Sequence, residues 1–223
     1  DKQINLFYKK TFRKHKKIHV LINNAAILGP KGYSEKLEWK KWKKTIDTNL
    51  LGSIYMIYKI IPHFKLNNNG KIIQLSGGGS TSPNPYFSPY AVSKTGIVRF
   101  IENLSIELKK FNITANLIAP GPVKTNMLRE ILKAGPNKVG KEYYIKTKKI
   151  YKNGGTDLNK IFELVEFLAH KKSDKINGKL ISAIWDNWKL FNKTKILKKL
   201  KNSDFGTLRR INGKSVNLKE LDK

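Results

Sequence analysis

Tyr90 and Lys94 set a phenol and an ammonium four residues apart in the run Tyr90-Ala91-Val92-Ser93-Lys94. On a helix, positions i and i+4 share a face, so the Lys94 charge can reach the neighbourhood of the Tyr90 hydroxyl. A cation beside a phenol favours the phenolate and lowers a pKa that otherwise sits near ~10. A tyrosine tuned in this way can donate or accept a proton near neutral pH. The same spacing also occurs on ordinary solvated helices, so the surrounding elements have to decide what the pair means.

Those elements alternate. Residues 1–17 read as an amphipathic helix carrying Ile4, Leu6, Phe7 and Phe12. The run Ile18-His19-Val20-Leu21-Ile22 is a buried-strand signature that stops abruptly at Asn23-Asn24-Ala25-Ala26. A long helix is expected over residues 38–63, with Trp39, Trp42, Ile46, Leu50 and Ile54 at three- and four-residue steps. The turn Asn67-Asn68-Asn69-Gly70 follows, then a strand over 71–76 that runs into Gly77-Gly78-Gly79. The helix carrying Tyr90 and Lys94 is expected over 90–110, with Ile97, Ile101, Leu104 and Leu108 as its core stripe. A third strand over 113–118 closes at Ala119-Pro120-Gly121-Pro122, and lysine-rich residues 123–155 read as one or two surface excursions. Thr156 reads as the N-cap of a helix with Ile161, Leu164, Val165 and Leu168, and a fourth strand is expected over 178–184.

Strands and helices alternating at this length imply right-handed βαβ crossovers and a parallel sheet. The fold class expected is α/β, a Rossmann-like doubly wound sheet, whose ligands bind beyond the carboxyl ends of the strands. Asn23, Ser76 and Pro120-Gly121 stand at such ends.

Composition narrows the function. The chain has 223 residues, 39% hydrophobic and 10% aromatic, which fits one globular α/β domain. It contains no cysteine, so disulfides and thiolate metal sites are excluded, and a reducing cytoplasm is the default location. No apolar run approaches the ~20 residues of a membrane span, and the N-terminus does not read as a signal peptide. The four histidines, His15, His19, His63 and His170, have no ligand spacing, and no metal is expected. The formal charge of +29 invites comparison with nucleic-acid-binding modules. Against that reading, only Arg13, Arg99, Arg129, Arg209 and Arg210 are arginine, and the lysines are scattered along the whole chain.

Taken together, these residues resemble the short-chain dehydrogenase/reductase family. Four signatures occur in the family's order: Asn23-Asn24-Ala25-Ala26, Asp47-Thr48-Asn49-Leu50, Tyr90 to Lys94, and Pro120-Gly121-Pro122-Val123-Lys124-Thr125. The resemblance covers residues 1–188. It implies hydride transfer between NAD or NADP and a small-molecule carbonyl or alcohol, with the cofactor carrying the hard step. By the same resemblance Tyr90 is the acid/base, and Lys94 tunes it and binds the nicotinamide ribose. Asn49 holds a relay water, and Asn23 and Ala25 lie along the cofactor. Pro120, Gly121, Val123 and Thr125 hold the nicotinamide end. A homo-oligomer is also expected.

Two departures qualify the resemblance. The family's catalytic serine usually stands thirteen residues before the tyrosine, where this chain has Gly77; Ser76 is expected to take over its role, with Ser80 as the other candidate. The family's opening strand, and the glycine-rich turn that cradles the pyrophosphate, have no counterpart here. The chain is therefore expected to be an N-terminally truncated member, with 1–191 the C-terminal part of the Rossmann domain and 192–223 a basic extension. A cofactor-binding-defective or non-catalytic member is the second expectation, and a basic nucleic-acid-binding module the third. Residues 126–155, with Met127, Leu128, Ile131 and Leu132 on one face, are expected to form a lid. Its lysines, Lys133, Lys138, Lys141, Lys146, Lys148 and Lys149, either admit an anionic substrate or face solvent. Trp185 and Trp188 either close the pocket or pack the extension.

Overall fold

Four strands, β1 (Val20–Asn23), β2 (Gly70–Leu75), β3 (Ile113–Ala119) and β4 (Leu180–Ser182), form one parallel sheet in the order β1-β2-β3-β4. The coordinates are a computed structural model that describes residues 2–209. The register places Ile22 beside Ile73, Ile73 beside Asn116 and Ile118 beside Ile181. All six residues of β2 are buried. A strand covered on both faces reads as a nearly continuous apolar run, and for that reason it is legible in the sequence.

The two faces of the sheet have separate cores. On one, Leu21, Ile72, Ala115 and Leu117 pack against Ile57, Ile60 and Phe64 of α3 (Gly52–Leu66) and Ile97 and Ile101 of α4 (Ser88–Glu107). Tyr8 of α1 (Lys2–Lys14) joins this core and donates its hydroxyl to the Met56 carbonyl at 2.8 Å. On the other face, Ile73, Leu75, Ile118 and Ile181 pack against Ile161, Leu164 and Leu168 of α8 (Leu158–Ala169). Helices on both faces of a parallel sheet make this a Rossmann-like, doubly wound α/β fold. Among the described residues it lacks the first strands and glycine-rich turn of that architecture.

Several boundaries differ from the sequence expectation. The helix expected over 38–63 is divided into α2 (Trp39–Ile46), a π turn (Asp47–Leu51) and α3. Apolar periodicity runs through all three pieces and cannot register the wider turn. The N-cap of α8 is Asp157, whose carboxylate accepts the Asn159 N–H at 3.0 Å; Thr156 instead donates its N–H to the Pro122 carbonyl at 2.9 Å. Residues 123–155 contain α5 (Asn126–Ala134), α6 (Pro136–Val139) and α7 (Lys141–Lys152), separated by Gly135 and Gly140, both at positive φ.

The segment after residue 191 is packed as far as it is described. Leu200 of α9 (Thr194–Lys201) joins the α8 core, and the Gly206 carbonyl accepts the outward N–H of Leu180 on β4 at 2.8 Å. Asp186 takes the N–H of Ser182 at 2.7 Å, so the outer edge of β4 is closed, as exposed edges usually are. Residues 210–223 of the expected basic extension lie outside the described residues. No helix among the described residues is long and apolar enough to cross a membrane.

Candidate active site

Parallel strands bring their carboxyl ends to one side, and there the structure gathers Asn23 from β1, Ser76 after β2 and Pro120 after β3. The N-terminal half of α4 lies against that rim. Lys94 is 2% exposed and donates its ammonium to the Leu75 carbonyl at 2.9 Å. Its Nζ also lies 5.6 Å from the centre of the Tyr90 ring. The pair therefore shares one helix face, as the spacing predicts, but the ammonium is directed at the strand end rather than at the phenol oxygen.

The electrostatics differ accordingly. Burial pushes the Tyr90 phenol up to about 12, with Tyr143 adding to the rise, and burial brings Lys94 down to about 8. The expected lowering of the Tyr90 pKa by Lys94 is thus corrected. Desolvation of the phenol outweighs the nearby cation, because an uncharged phenol is the form that a water-poor site favours. Tyr90 packs beside Leu28, Phe87, Leu128, Ile131 and Val139, a cluster that fastens α5 and α6 over the site.

Gly77 explains where the phenol goes. A Cβ built at Gly77 would collide with the Tyr90 hydroxyl. The hydroxyl thus lies against the position where a serine side chain would begin. Ser76 does not replace that serine by contact: it is 4% exposed, its N–H is tied to the Ile118 carbonyl at 2.8 Å, and its Oγ has no hydrogen-bond partner among the described residues. Ser80 is likewise buried, in a turn held by a 3.3 Å bond from its N–H to the Gly77 carbonyl.

Asn49 is fully buried in the π turn. Its Oδ1 accepts the Ile27 N–H at 2.8 Å, and its Nδ2 donates to the Ile27 carbonyl at 2.8 Å and to Ser93 Oγ at 3.1 Å. Ser93 in turn donates to the Tyr90 carbonyl at 2.7 Å. One amide therefore ties the loop after β1 to the helix that carries Tyr90. The extra residue per turn of a π bulge is common at functional sites, and here it accompanies that inward amide. Sequence reasoning missed the linking roles of Ser93 and Ile27; Ser93 stood inside the tyrosine motif and was the one available signal.

The remaining expected residues flank this centre. Asn23 donates its side-chain amide to the Ser53 carbonyl at 3.1 Å, and Ala25 is exposed. Gly121 has φ +77, and a Cβ there would meet Ile184 at 2.6 Å and Thr156 at 2.7 Å, so only glycine fits. Thr125 is exposed and bonds through its N–H to the Val123 carbonyl at 2.8 Å. The six lid lysines face solvent. Trp188 is buried against Phe167 in the α8 core, whereas Trp185 is exposed and lines a groove of about 510 Å³ with Pro122, Thr156 and Ile184.

A model described as short chain dehydrogenase matches residues 1–135. The chain belongs to the short chain dehydrogenase family. Among its relatives, Dehydrogenase/reductase SDR family member 4 of Homo sapiens is 35% identical over 115 residues, covering 52% of this chain and 41% of the relative. The same protein of Sus scrofa is 28% identical over 167 residues, covering 75% and 58%. The chain thus spans about half the length of the curated relatives it matches. Among solved structures, NAD+-bound xylitol dehydrogenase is similar with a TM-score of 0.71 at 21% identity, over 80% of this chain and 72% of that one. That likeness concerns the fold.

Lys94 yields a test that needs no substrate. Its charged form is less favoured in the folded chain, near 8, than in the unfolded chain, at 10.5. Between those values the unfolded state binds the extra proton, so stability rises with pH. Urea denaturation should show a gain of about 2 kcal/mol between pH 7.5 and 9.5, and Lys94→Met should remove that gain. Equal pH dependence in the two proteins would contradict the burial argument.

Proposed function

We propose that the protein is an NAD(P)-dependent oxidoreductase transferring hydride between a nicotinamide and a small-molecule carbonyl or alcohol, with Tyr90 as the proton donor. The observation that carries this reading is the Tyr90–Lys94 pair at the carboxyl rim of the sheet, tied by Ser93 to the buried Asn49. The relatives named dehydrogenase/reductase support it, as do similar structures holding NAD+ or NADPH.

The residues present fit the nicotinamide half of such a cofactor. Lys94 uses one N–H on Leu75 among the described residues, and two remain for ribose hydroxyls. The buried, unpartnered Ser76 Oγ and Gln74 Oε1 mark the same strand end as a place that lacks a hydrogen-bonding occupant. Asn23, Ala25, Pro120, Gly121, Val123 and Thr125 would border the cofactor. When bound, the nicotinamide supplies or accepts the hydride. Tyr90 protonates the carbonyl oxygen as charge develops there, and Asn49 holds the helix and loop in register. Protons return to Tyr90 past Lys94, with a water at Asn49 as the link to solvent.

The raised Tyr90 pKa sets which protonation state is ready at pH 7. A phenol titrating near 12 is protonated at pH 7, as carbonyl reduction requires and alcohol oxidation does not. Reduction measured by NADPH absorbance should therefore be insensitive to Tyr90 ionisation from pH 6 to 8, while oxidation rises with pH over the same range. A reduction rate that climbs with pH there would count against Tyr90 as the donor.

The adenosine half is a different matter. No glycine-rich turn joins a strand to a helix at the start of this sequence, and such a turn supplies the N–H groups that cradle a pyrophosphate. The 223-residue chain by itself should bind NADPH with a Kd weaker than about 1 mM in calorimetry. A micromolar Kd would show that the pyrophosphate is held by residues other than those. The site location, the homo-oligomer implied by family resemblance and a cytoplasmic setting belong to the same proposal.

A further inference from the structure

Gln74 is a buried amide in an otherwise apolar stretch of β2, between Ile73 and Leu75. Strand alternation puts it on the same face as Ile72, which packs toward α3 and α4. Its Nε2 donates to the Leu75 carbonyl at 3.1 Å and to the Asn23 carbonyl at 3.4 Å. Two backbone acceptors fix which end of the amide is nitrogen, and Oε1 has no partner among the described residues. A buried amide with an unpaired oxygen costs stability that a leucine at this position would not. Packing alone thus gives no reason for glutamine here, whereas the contacts of its nitrogen do.

The Leu75 carbonyl is also the acceptor of Lys94, at 2.9 Å. One oxygen therefore takes an amide N–H from Gln74 and an ammonium N–H from Lys94, which fills its two lone pairs. Lys94 is buried, and among the described residues no carboxylate pairs with it; the titratable group beside it is Tyr90, whose ring centre lies 5.6 Å from Nζ. A buried ammonium is held by whatever acceptors it can reach. Gln74 covers the Asn23 carbonyl and half of the Leu75 carbonyl, so neither is free to draw in the remaining N–H groups of Lys94.

We propose that Gln74 is a positioning residue for Lys94: by occupying the strand-end carbonyls it holds the ammonium to a single backbone bond and reserves its other two N–H groups for the hydroxyls of a nicotinamide ribose. This assignment rests on the redox reading above and adds to it a residue that acts through Lys94 rather than on the ligand. A neutral amide suits the task. It donates to the carbonyls without placing a negative charge beside the ammonium, which would bind it more firmly than the ligand does.

The test uses the 223-residue chain and nicotinamide mononucleotide, which carries the nicotinamide ribose without the adenosine half. Affinity is read from the ligand's nicotinamide proton shifts. The Lys94 titration is read from the ε-carbon signal of 13C-labelled lysine, assigned by its loss in Lys94→Met. Gln74→Met should weaken the mononucleotide about tenfold. With Lys94→Met already in place it should weaken it no further, because residues that act through one another are not additive. Gln74→Glu should raise the Lys94 titration midpoint by about 1–3 pH units, since a carboxylate beside the ammonium favours its charged form. Wild-type affinity in Gln74→Met overturns the proposal while the redox reading stands. So does an equal loss with and without Lys94, which is what a merely structural role would give. If Gln74→Met does not fold, an unmoved Lys94 midpoint in Gln74→Glu overturns it. A wild-type chain that does not bind the mononucleotide overturns the cofactor reading and, with it, the purpose given to the two N–H groups.

Discussion

Tyr90→Phe is expected to abolish most of the carbonyl-reducing activity, lowering kcat by roughly 100- to 10,000-fold while the fold survives. The substitution removes a single oxygen. That oxygen rests against the Cα of Gly77 in a space with no room for a Cβ, so its loss opens a small gap and breaks no ladder. Among the described residues no other hydroxyl is seen against Gly77: Ser76 Oγ is buried without a partner, and the Lys94 ammonium is turned to the Leu75 carbonyl. Steady-state rates with NADPH and 2,3-butanedione, together with unchanged circular dichroism, check the expectation. A variant retaining more than about a tenth of wild-type kcat falls outside the range for general acid catalysis and would remove Tyr90 from the mechanism.

Asn49→Ala is expected to have the largest effect on stability, at about 3 kcal/mol, and to depress activity as a consequence. Asn49 is 0% exposed and makes three hydrogen bonds. Truncation leaves the Ile27 N–H and carbonyl without those partners, and each buried unpaired group costs about 1–3 kcal/mol. The loop after β1 then loses its tie to α4 through Ser93 and Tyr90. Urea denaturation measures the loss, and a destabilisation below about 1 kcal/mol would mean that water replaces the amide without penalty. Asn49→Asp separates the roles further, because a carboxylate can still accept from Ile27 but cannot donate to its carbonyl.

Much of the fold was legible in the sequence because strands of a parallel sheet are covered on both faces. The runs around Ile72, Ala115 and Ile181 are apolar for that reason, whereas Ile22 of the edge strand β1 stays exposed, and the strand positions followed with shifts of one or two residues. The π turn was not legible. Trp42, Ile46 and Leu50 keep their steps across it, and what forces the wider turn is a bond from Asn49 to a residue 22 positions earlier. The capping of α8 was misplaced by one residue, since Thr156 and Asp157 are both good N-caps and the Pro122 carbonyl already claims the Thr156 N–H. The lysines of residues 126–155 offered two readings, and their exposure places them in solvent.

The sequence by itself determined the family, the α/β architecture and the sharing of one helix face by Tyr90 and Lys94. Each of these follows from local periodicity, or from short motifs in a fixed order. Only the tertiary structure decided the state of the phenol. The Tyr90 pKa depends on how much water and which charges surround one oxygen, and those neighbours come from β2, the Gly77 run and α7. An i, i+4 spacing states which cation is near; it does not state that the cation is turned toward Leu75 or that desolvation dominates. The same holds for the position of the missing serine. Glycine at residue 77 is visible in the sequence, but the phenol resting against it, with Asn84 beside Gly78 and Gly79, follows from packing of the tyrosine helix onto the loop after β2.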